Sequence, residues 1–330
     1  MGELAESYRV LEMALKPLSY WYTQDNVEDV AINHPGGVWL RLRGRHSHPW
    51  HYYEDPKLTR SYLLDILYII ANTTEQPFGP EAKIPMLYTD LPGEGATGYR
   101  FTGIMGENVK YDEHDLEGGV AMDIRVLKDA NIGMDEFGLV KGGRLRQINR
   151  LKNVEDPDDP YERLILSIRR GDHLLISGGT ATGKTTFLNN ILKLLDEHKR
   201  IITVEDTREL IVHQPNHVHL LVSRSGAVNK FDYAQVVDLV NRFTPDSIIC
   251  GEISEDNAWG IWQLMNTGHD NCFATIHADS ADMAYRAFIG RIMNKNPEID
   301  QEQAYKDMKE RLRVVQINRD GNIRAITAIT

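Results

Sequence analysis

The sequence predicts an α/β fold, with a mainly parallel sheet covered on both faces in the second half of the chain and a smaller α+β domain before it. Three observations lead there. From Tyr161 onward, apolar runs of strand length alternate with helical patterns, as in a parallel sheet whose crossovers are helices. Over the first 130 residues, strands and helices are mixed without that alternation, the pattern of an α+β domain. A length of 330 residues also exceeds what one hydrophobic core usually serves.

Taken in order, residues 3–15 place apolar side chains at helical spacing, and Pro17 is expected to close that helix. Residues 27–32 and 38–42 read as two strands joined by His34-Pro35-Gly36-Gly37. Pro56 opens a strong helical pattern, followed by short strands at 84–88, 99–105 and 120–126. Residues 128–160 lose periodicity, contain Gly142 and Gly143, and end in Glu155-Asp156-Pro157-Asp158-Asp159-Pro160. That stretch reads as a linker, giving an N-terminal domain over 1–130, a linker over 131–160 and a second domain over 161–330. The second domain is expected to run as helix to 168, strand 173–177, helix 185–197, strand 201–204, strand 247–250, helix 258–265 and strand 272–277. Helices over 281–293 and 301–312 follow, then a hairpin of 313–317 and 323–329 around Asp320-Gly321.

Charge and composition narrow the function. The chain carries 37 basic and 48 acidic residues, and a net charge of -11 opposes nonspecific attraction to nucleic acid or to an anionic membrane face. The opening MGELAESYRV lacks a basic region leading into an apolar run, so no signal peptide is expected. No apolar stretch approaches the roughly 20 residues needed to span a bilayer. Cys250 and Cys272 are the only two cysteines, which suits a reducing compartment better than a disulfide framework. A cytoplasmic location is the expectation.

The chemistry concentrates at Gly178-Gly179-Thr180-Ala181-Thr182-Gly183-Lys184-Thr185, followed by Thr186, which satisfies the P-loop pattern between a predicted strand and a predicted helix. Glycines let backbone N–H groups converge on phosphate oxygens, and the helix N-terminus adds its partial positive charge. Lys184 is placed to reach the β and γ phosphates and Thr185 to ligate Mg²⁺, so ATP and Mg²⁺ are the expected ligands. Glu205 and Asp206 follow the next apolar strand, and Glu252 follows the run Ser247-Ile248-Ile249-Cys250-Gly251. Both positions lie at the carboxyl edge of the sheet, where one carboxylate can polarise an attacking water and another hold magnesium, partly through water. Taken singly, an acidic residue after a strand is more often a helix cap.

His269 and His277 bracket the apolar run from Cys272 to Ile276, and His277 ends a strand on the same edge. Either has the chemistry to hydrogen-bond a phosphate or relay its presence, although a lone strand-end histidine is more often merely packed. The trios His46, His48, His51 and His213, His217, His219 come with no cysteine or helical carboxylate partner, so no zinc site is expected.

This run of motifs resembles the type II and type IV secretion ATPase superfamily, and within it the conjugation-type traffic ATPases related to the eleventh VirB protein. The resemblance spans most of the chain. It consists of the P-loop, an acidic box from Thr203 to Leu210, a Walker B in which glycine replaces the usual aspartate (Gly251-Glu252), and a histidine box from Gly268-His269 through His277-Ala278. The segment from Val30 to Trp39 is similar to the family's first domain. Arg100 and Arg125 stand where, in this family, the N-terminal domain reaches the nucleotide, a role that guanidinium chemistry suits. Ser254 and Thr244 depart from the family's pattern, each standing where arginine is common, whereas Arg242 matches. Arg208 and Arg242 are the candidates for contact between subunits.

The resemblance implies a RecA-like ATPase domain, a homohexameric ring, and ATP hydrolysis that drives substrate transfer or pilus assembly. The implied partners are inner-membrane components of a type IV secretion channel, with the protein peripheral at the inner face of that membrane. Lys184, Glu205, Glu252, His277, Arg100 and Arg125 are the expected catalytic set. Three rivals stay open: a retraction-type pilus motor, a RecA-like hexamer that translocates DNA, and a nucleotide-gated scaffold with little turnover. The acidic balance and the lack of an aromatic-basic strand argue against stable nucleic-acid binding.

Overall fold

A computed structural model describes residues 2–43, 48–93, 98–112, 118–127, 154–222 and 231–330. Most of the expected linker, and His46, lie outside these residues. In chain order the first elements are α1 (Gly2–Tyr22), β1 (Val27–Ile32), β2 (Gly37–Leu42), β3 (Trp50–Glu54), α2 (Arg60–Thr73), β4 (Met86–Leu91), β5 (Gly98–Gly106), β6 (Val109–Lys110) and β7 (Gly119–Leu127). Then come α3 (Pro160–Arg170), β8 (His173–Ser177), α4 (Lys184–Leu192), β9 (Ile201–Glu205), β10 (His217–Leu221), α5 (Tyr233–Arg242) and β11 (Ser247–Cys250). The chain closes with α6 (Ala258–Met265), β12 (Phe273–Ile276), α7 (Ala281–Lys295), α8 (Gln301–Arg311), β13 (Leu312–Asp320) and β14 (Ile323–Ile329).

Two compact units result: Met1–Asp129 with His198–Arg208 and Gln214–Pro245, and Ala130–Glu197 with Glu209–His213 and Asp246–Thr330. In the first, an antiparallel sheet has the order β3-β2-β1-β7-β5-β4. Register sets Val30 opposite Ile124, and Ile124 opposite Phe101, so these side chains share one face. Leu11, Leu15 and Leu18 of α1 and Leu63, Ile66, Leu67 and Ile70 of α2 join them in one core. Thr59 caps α2 by accepting the Tyr62 N–H at 3.2 Å.

Pro17 does not close α1; the helix continues to Tyr22. Losing one backbone bond at the proline is outweighed by burial of Leu18, Trp21 and Tyr22 beyond it, with the Trp21 indole N–H donating to Asp55 Oδ2 at 2.8 Å. The strand expected over 84–88 lies at Met86–Leu91, and β3 was not anticipated.

The same unit contains β9, β10 and β6, in that order, with β9 and β10 parallel and β6 antiparallel to β10. Arg200, at the start of β9, is fully buried between the rings of Trp50 and Phe243, which lie 5.0 and 5.6 Å from its guanidinium carbon. It donates to Asp123 Oδ2 at 2.8 Å and to Asn33 Oδ1 at 3.4 Å, while the Asn33 amide donates to Asn216 Oδ1 at 2.8 Å. Burial of an arginine is tolerable only with this degree of pairing.

In the second unit the sheet order is β14-β13-β8-β12-β11, with β13, β8, β12 and β11 parallel and β14 antiparallel at the edge. Strands β8, β12 and β11 are buried along their whole length, as expected when both faces are covered. Helix α4 stops at Leu192 rather than at 197. Leu194 and Leu195 donate to Ile191 and Leu192 at 2.9 and 3.2 Å, so the chain tightens into three-residue turns that bury Leu195.

Candidate functional site

Three neighbouring parallel strands deliver the candidate residues of the second unit to one edge. Ser177, which ends β8, pairs with Ile276, which ends β12, so the P-loop and His277 leave the sheet side by side. Cys250, ending β11, pairs with Ala274, bringing Gly251-Glu252 to the same edge. This is where ligands collect in open α/β sheets.

The loop from Gly178 to Thr186 turns through two left-handed residues, Ala181 (φ 59°) and Gly183 (φ 94°). Gly183 is the N-cap of α4 and has no side chain to satisfy the first N–H groups of the helix, which leaves them available to an anion. Lys184 folds back over the loop, its ammonium donating to the carbonyls of Gly178 at 3.0 Å and Gly179 at 2.9 Å. Its third neighbour is His277 Nδ1 at 3.2 Å, which accepts, so the ring proton stands on Nε2, 3.7 Å from Glu252 Oε1. Burial pulls the Lys184 ammonium below the ordinary lysine range, and the Glu252 carboxylate pulls it back up. Lys184, His277 and Glu252 therefore form one chain of groups. Thr185 follows in the first turn of α4, and Thr180 and Thr186 are exposed on either side.

The backbone after β11 is held by a buried residue that sequence reasoning passed over. Asn257 is 2% exposed; its amide donates to the Glu252 carbonyl at 2.8 Å and its carbonyl accepts the Ser254 N–H at 2.8 Å. Thr275 donates to the Gly251 carbonyl at 2.6 Å. An asparagine just ahead of the helical pattern at 258–265 was the available signal. His269 precedes β12, at the opposite end of that strand from His277.

Glu205, Arg100 and Arg125 lie in the first unit. Glu205 ends β9, buried, and accepts from Thr203 Oγ1 at 3.2 Å. Thr203 in turn lies 2.8 Å from His219 Nδ1, whose Nε2 faces Arg208 Nη2 at 2.7 Å and Asp112 Oδ1 at 3.3 Å. Burial pushes the His219 imidazole down to about 4. His217 Nε2 reaches the other Asp112 oxygen at 3.0 Å, and hydrogen bonds from His217 and then His219 hold that carboxyl well below the usual range. Asp112 is thus the carboxylate partner that the histidine trio lacked in sequence, while His213 stands outside the cluster of Asp112, His217 and His219. The Arg208 guanidinium, 3.1 Å from Asp112 Oδ1, sits among these groups where a metal ion would compete for the same lone pairs.

Arg100 and Arg125 face each other across β5 and β7 and, with Arg242, Asp238 and Asp123, line a cavity of about 200 Å³. Arg125 donates to Asp29 Oδ1 at 2.9 Å, and Arg242 lies over the Tyr88 ring at 4.6 Å. Thr244, one of the two departures noted in sequence, takes a left-handed conformation (φ 45°), uncommon for a β-branched residue.

A family described as type II/IV secretion system protein matches residues 141–291. Protein VirB11 of Rhizobium radiobacter is 28% identical over 299 residues, covering 86% of this chain and 81% of that protein. Type IV secretion system protein PtlH of Bordetella pertussis (strain Tohama I) is 26% identical over 296 residues, covering 83% and 79%. The crystal structure of the VirB11 ATPase from the Brucella suis type IV secretion system, in complex with sulphate, matches with a TM-score of 0.82 at 21% identity over 100% of this chain and 96% of that one. The likeness shows that the chain has the fold of that protein.

Proposed function

We propose that the chain is a member of the type II/IV secretion ATPases, in their VirB11 branch, which hydrolyses ATP at the P-loop and turns the cycle into mechanical work for a type IV secretion system. The observation that carries the reading is the convergence of Lys184, His277 and Glu252 beside a helix N-terminus with no side-chain cap. In the working protein the N–H groups of Gly178 to Thr186 wrap the phosphates. The Lys184 ammonium exchanges its loop carbonyls for β and γ phosphate oxygens.

Glu252 orients water for attack on the γ phosphorus and takes its proton as the new P–O bond forms and the bond to the β-phosphate oxygen breaks. His277, held between Lys184 and Glu252, senses whether the γ phosphate is present. Thr185 and Glu252 offer hydroxyl and carboxylate oxygens, the donor set that Mg²⁺ prefers, and the ion would neutralise charge on the phosphate oxygens when bound there. We assign Glu205 to the same water or to its positioning, and Arg100 and Arg125 to phosphate contact.

The functional division is taken as 1–130, a linker over 131–160 and an ATPase domain over 161–330, since every nucleotide motif falls in the last. A homohexamer, peripheral at the cytoplasmic face of the inner membrane and engaged with channel components there, completes the proposal. No helix among the described residues is long and apolar enough to cross a membrane. Light-scattering mass with and without ATP and Mg²⁺, alongside phosphate release by wild type and Glu252→Gln, tests it. A mass near six subunits and turnover abolished by the substitution are expected. A monomer or dimer without turnover would refute the autonomous motor.

A further inference from the structure

The terminal hairpin places a second pair of arginines against the P-loop. Arg319 of β13 and Arg324 of β14 are direct cross-strand partners, so their side chains share one face of the ribbon. Like charges in that relation repel, and among the described residues neither has a carboxylate within ion-pairing distance. What both have beside them is the nucleotide loop. Arg319 donates from Nη1 to the Ala181 carbonyl at 3.3 Å and from Nε to the Gly321 carbonyl at 2.6 Å. The Arg324 guanidinium lies 3.5 Å from where a Cβ on Gly183 would stand, directly over the residue that caps α4. Arg324 is exposed and makes no hydrogen bond among the described residues.

Two arginines on one face of the hairpin, without a counter-charge among the described residues, at the rim of a loop built for phosphate constitute an anion site rather than a structural pair. We propose that Arg319 and Arg324 form a clamp from the terminal hairpin that binds the phosphate oxygens of the nucleotide from the side opposite the Lys184, His277 and Glu252 cluster. This rests on the P-loop being the nucleotide site, as proposed above. Arg319 is the fixed member, braced on Ala181, and Arg324 is the free member that closes on the ligand. Chain order conceals the pair, since 138 residues separate Arg319 from Ala181, and only the register of the hairpin, with Asp320 opposite Ile323 across the Gly321-Asn322 turn, sets 319 opposite 324.

The test is binding of mant-ADP to the full chain, with competition by inorganic tripolyphosphate, for wild type, Arg324→Ala, Arg324→Lys and the double variant Arg319→Ala/Arg324→Ala. Arg324→Ala should weaken both ligands about five- to tenfold, an effect that shrinks at high salt, and Arg324→Lys should recover part of it. The apo melting temperature should stay put while the ADP-induced rise in melting temperature becomes smaller. Binding of both ligands at wild-type strength by Arg324→Ala and the double variant would overturn the clamp while leaving the P-loop reading intact. Weaker mant-ADP with unchanged tripolyphosphate would show the arginines reading the nucleoside, which overturns the phosphate assignment. If wild type itself fails to bind mant-ADP, the P-loop reading fails and the clamp falls with it.

Discussion

Arg200 and Lys184 are both cations drawn into the interior, 0% and 8% exposed, yet their surroundings differ in kind. Arg200 has a fixed carboxylate, an amide oxygen and two aromatic faces, and its neighbour Asn33 is itself tied to Asn216. Lys184 has two loop carbonyls and a histidine nitrogen, with Glu252 one step beyond. The first set cannot be exchanged without unpacking a core. The second consists of neutral acceptors that a phosphate can displace, because an anion binds an ammonium more strongly than a carbonyl does. Interior charge alone therefore does not mark a functional group; the replaceability of its partners does.

That contrast can be broken in order of expected effect. Lys184→Ala should cut phosphate release about a thousandfold, or about 4 kcal/mol in the barrier, while urea unfolding stays within about 0.5 kcal/mol of wild type. Arg200→Ala should do the reverse, costing about 3–4 kcal/mol of stability by urea titration because Asp123 is left buried and unpaired. A variant that folds as well as wild type would show that Arg200 is no anchor.

The His219 network gives an intermediate effect with a definite sign. Its folded-state value near 4 lies below the ordinary 6.5, so the unfolded chain binds the extra proton first. Stability is then highest above about pH 6.5 and falls as pH drops toward 4, by at most about 2–3 kcal/mol. His219→Gln should flatten that slope in urea titrations run across the window. The smallest effect is expected at Asn257, where alanine should lower kcat about tenfold with little change in KM, by freeing the Glu252 backbone. Nucleotide affinity measured alongside should hold steady.

How much was legible beforehand depended on whether a feature is local in sequence. The P-loop, the alternation from residue 161 and the hairpin around Asp320-Gly321 declare themselves through spacing, and the structure returns each of them. Pro17 misled because a proline rule is local whereas the burial of Leu18, Trp21 and Tyr22 is not. Strand β10 and helix α5 went unanticipated: the HVHLL run of β10 is short and interrupted by histidines, and α5 follows residues 223–230, which carry no clear period. Within the candidate site, the P-loop pattern signalled Lys184, and strand ends signalled Glu252 and His277. Asp112 became visible only once strands had been paired, because His217 and His219 lie far along the chain; Asn257 bonds locally to backbone, and its place just ahead of a helical pattern was the one hint of it.

Gly178 carries a consequence of its own for any mutational scan of the loop. An added methyl there would stand 2.4 Å from the Ile317 carbonyl oxygen and 2.6 Å from Thr182 Oγ1. The first glycine of the P-loop pattern is thus demanded by the neighbouring strand before any ligand arrives. Alanine at this position would part a seam between the loop and β13, and a loss of function there would report on joinery rather than on recognition.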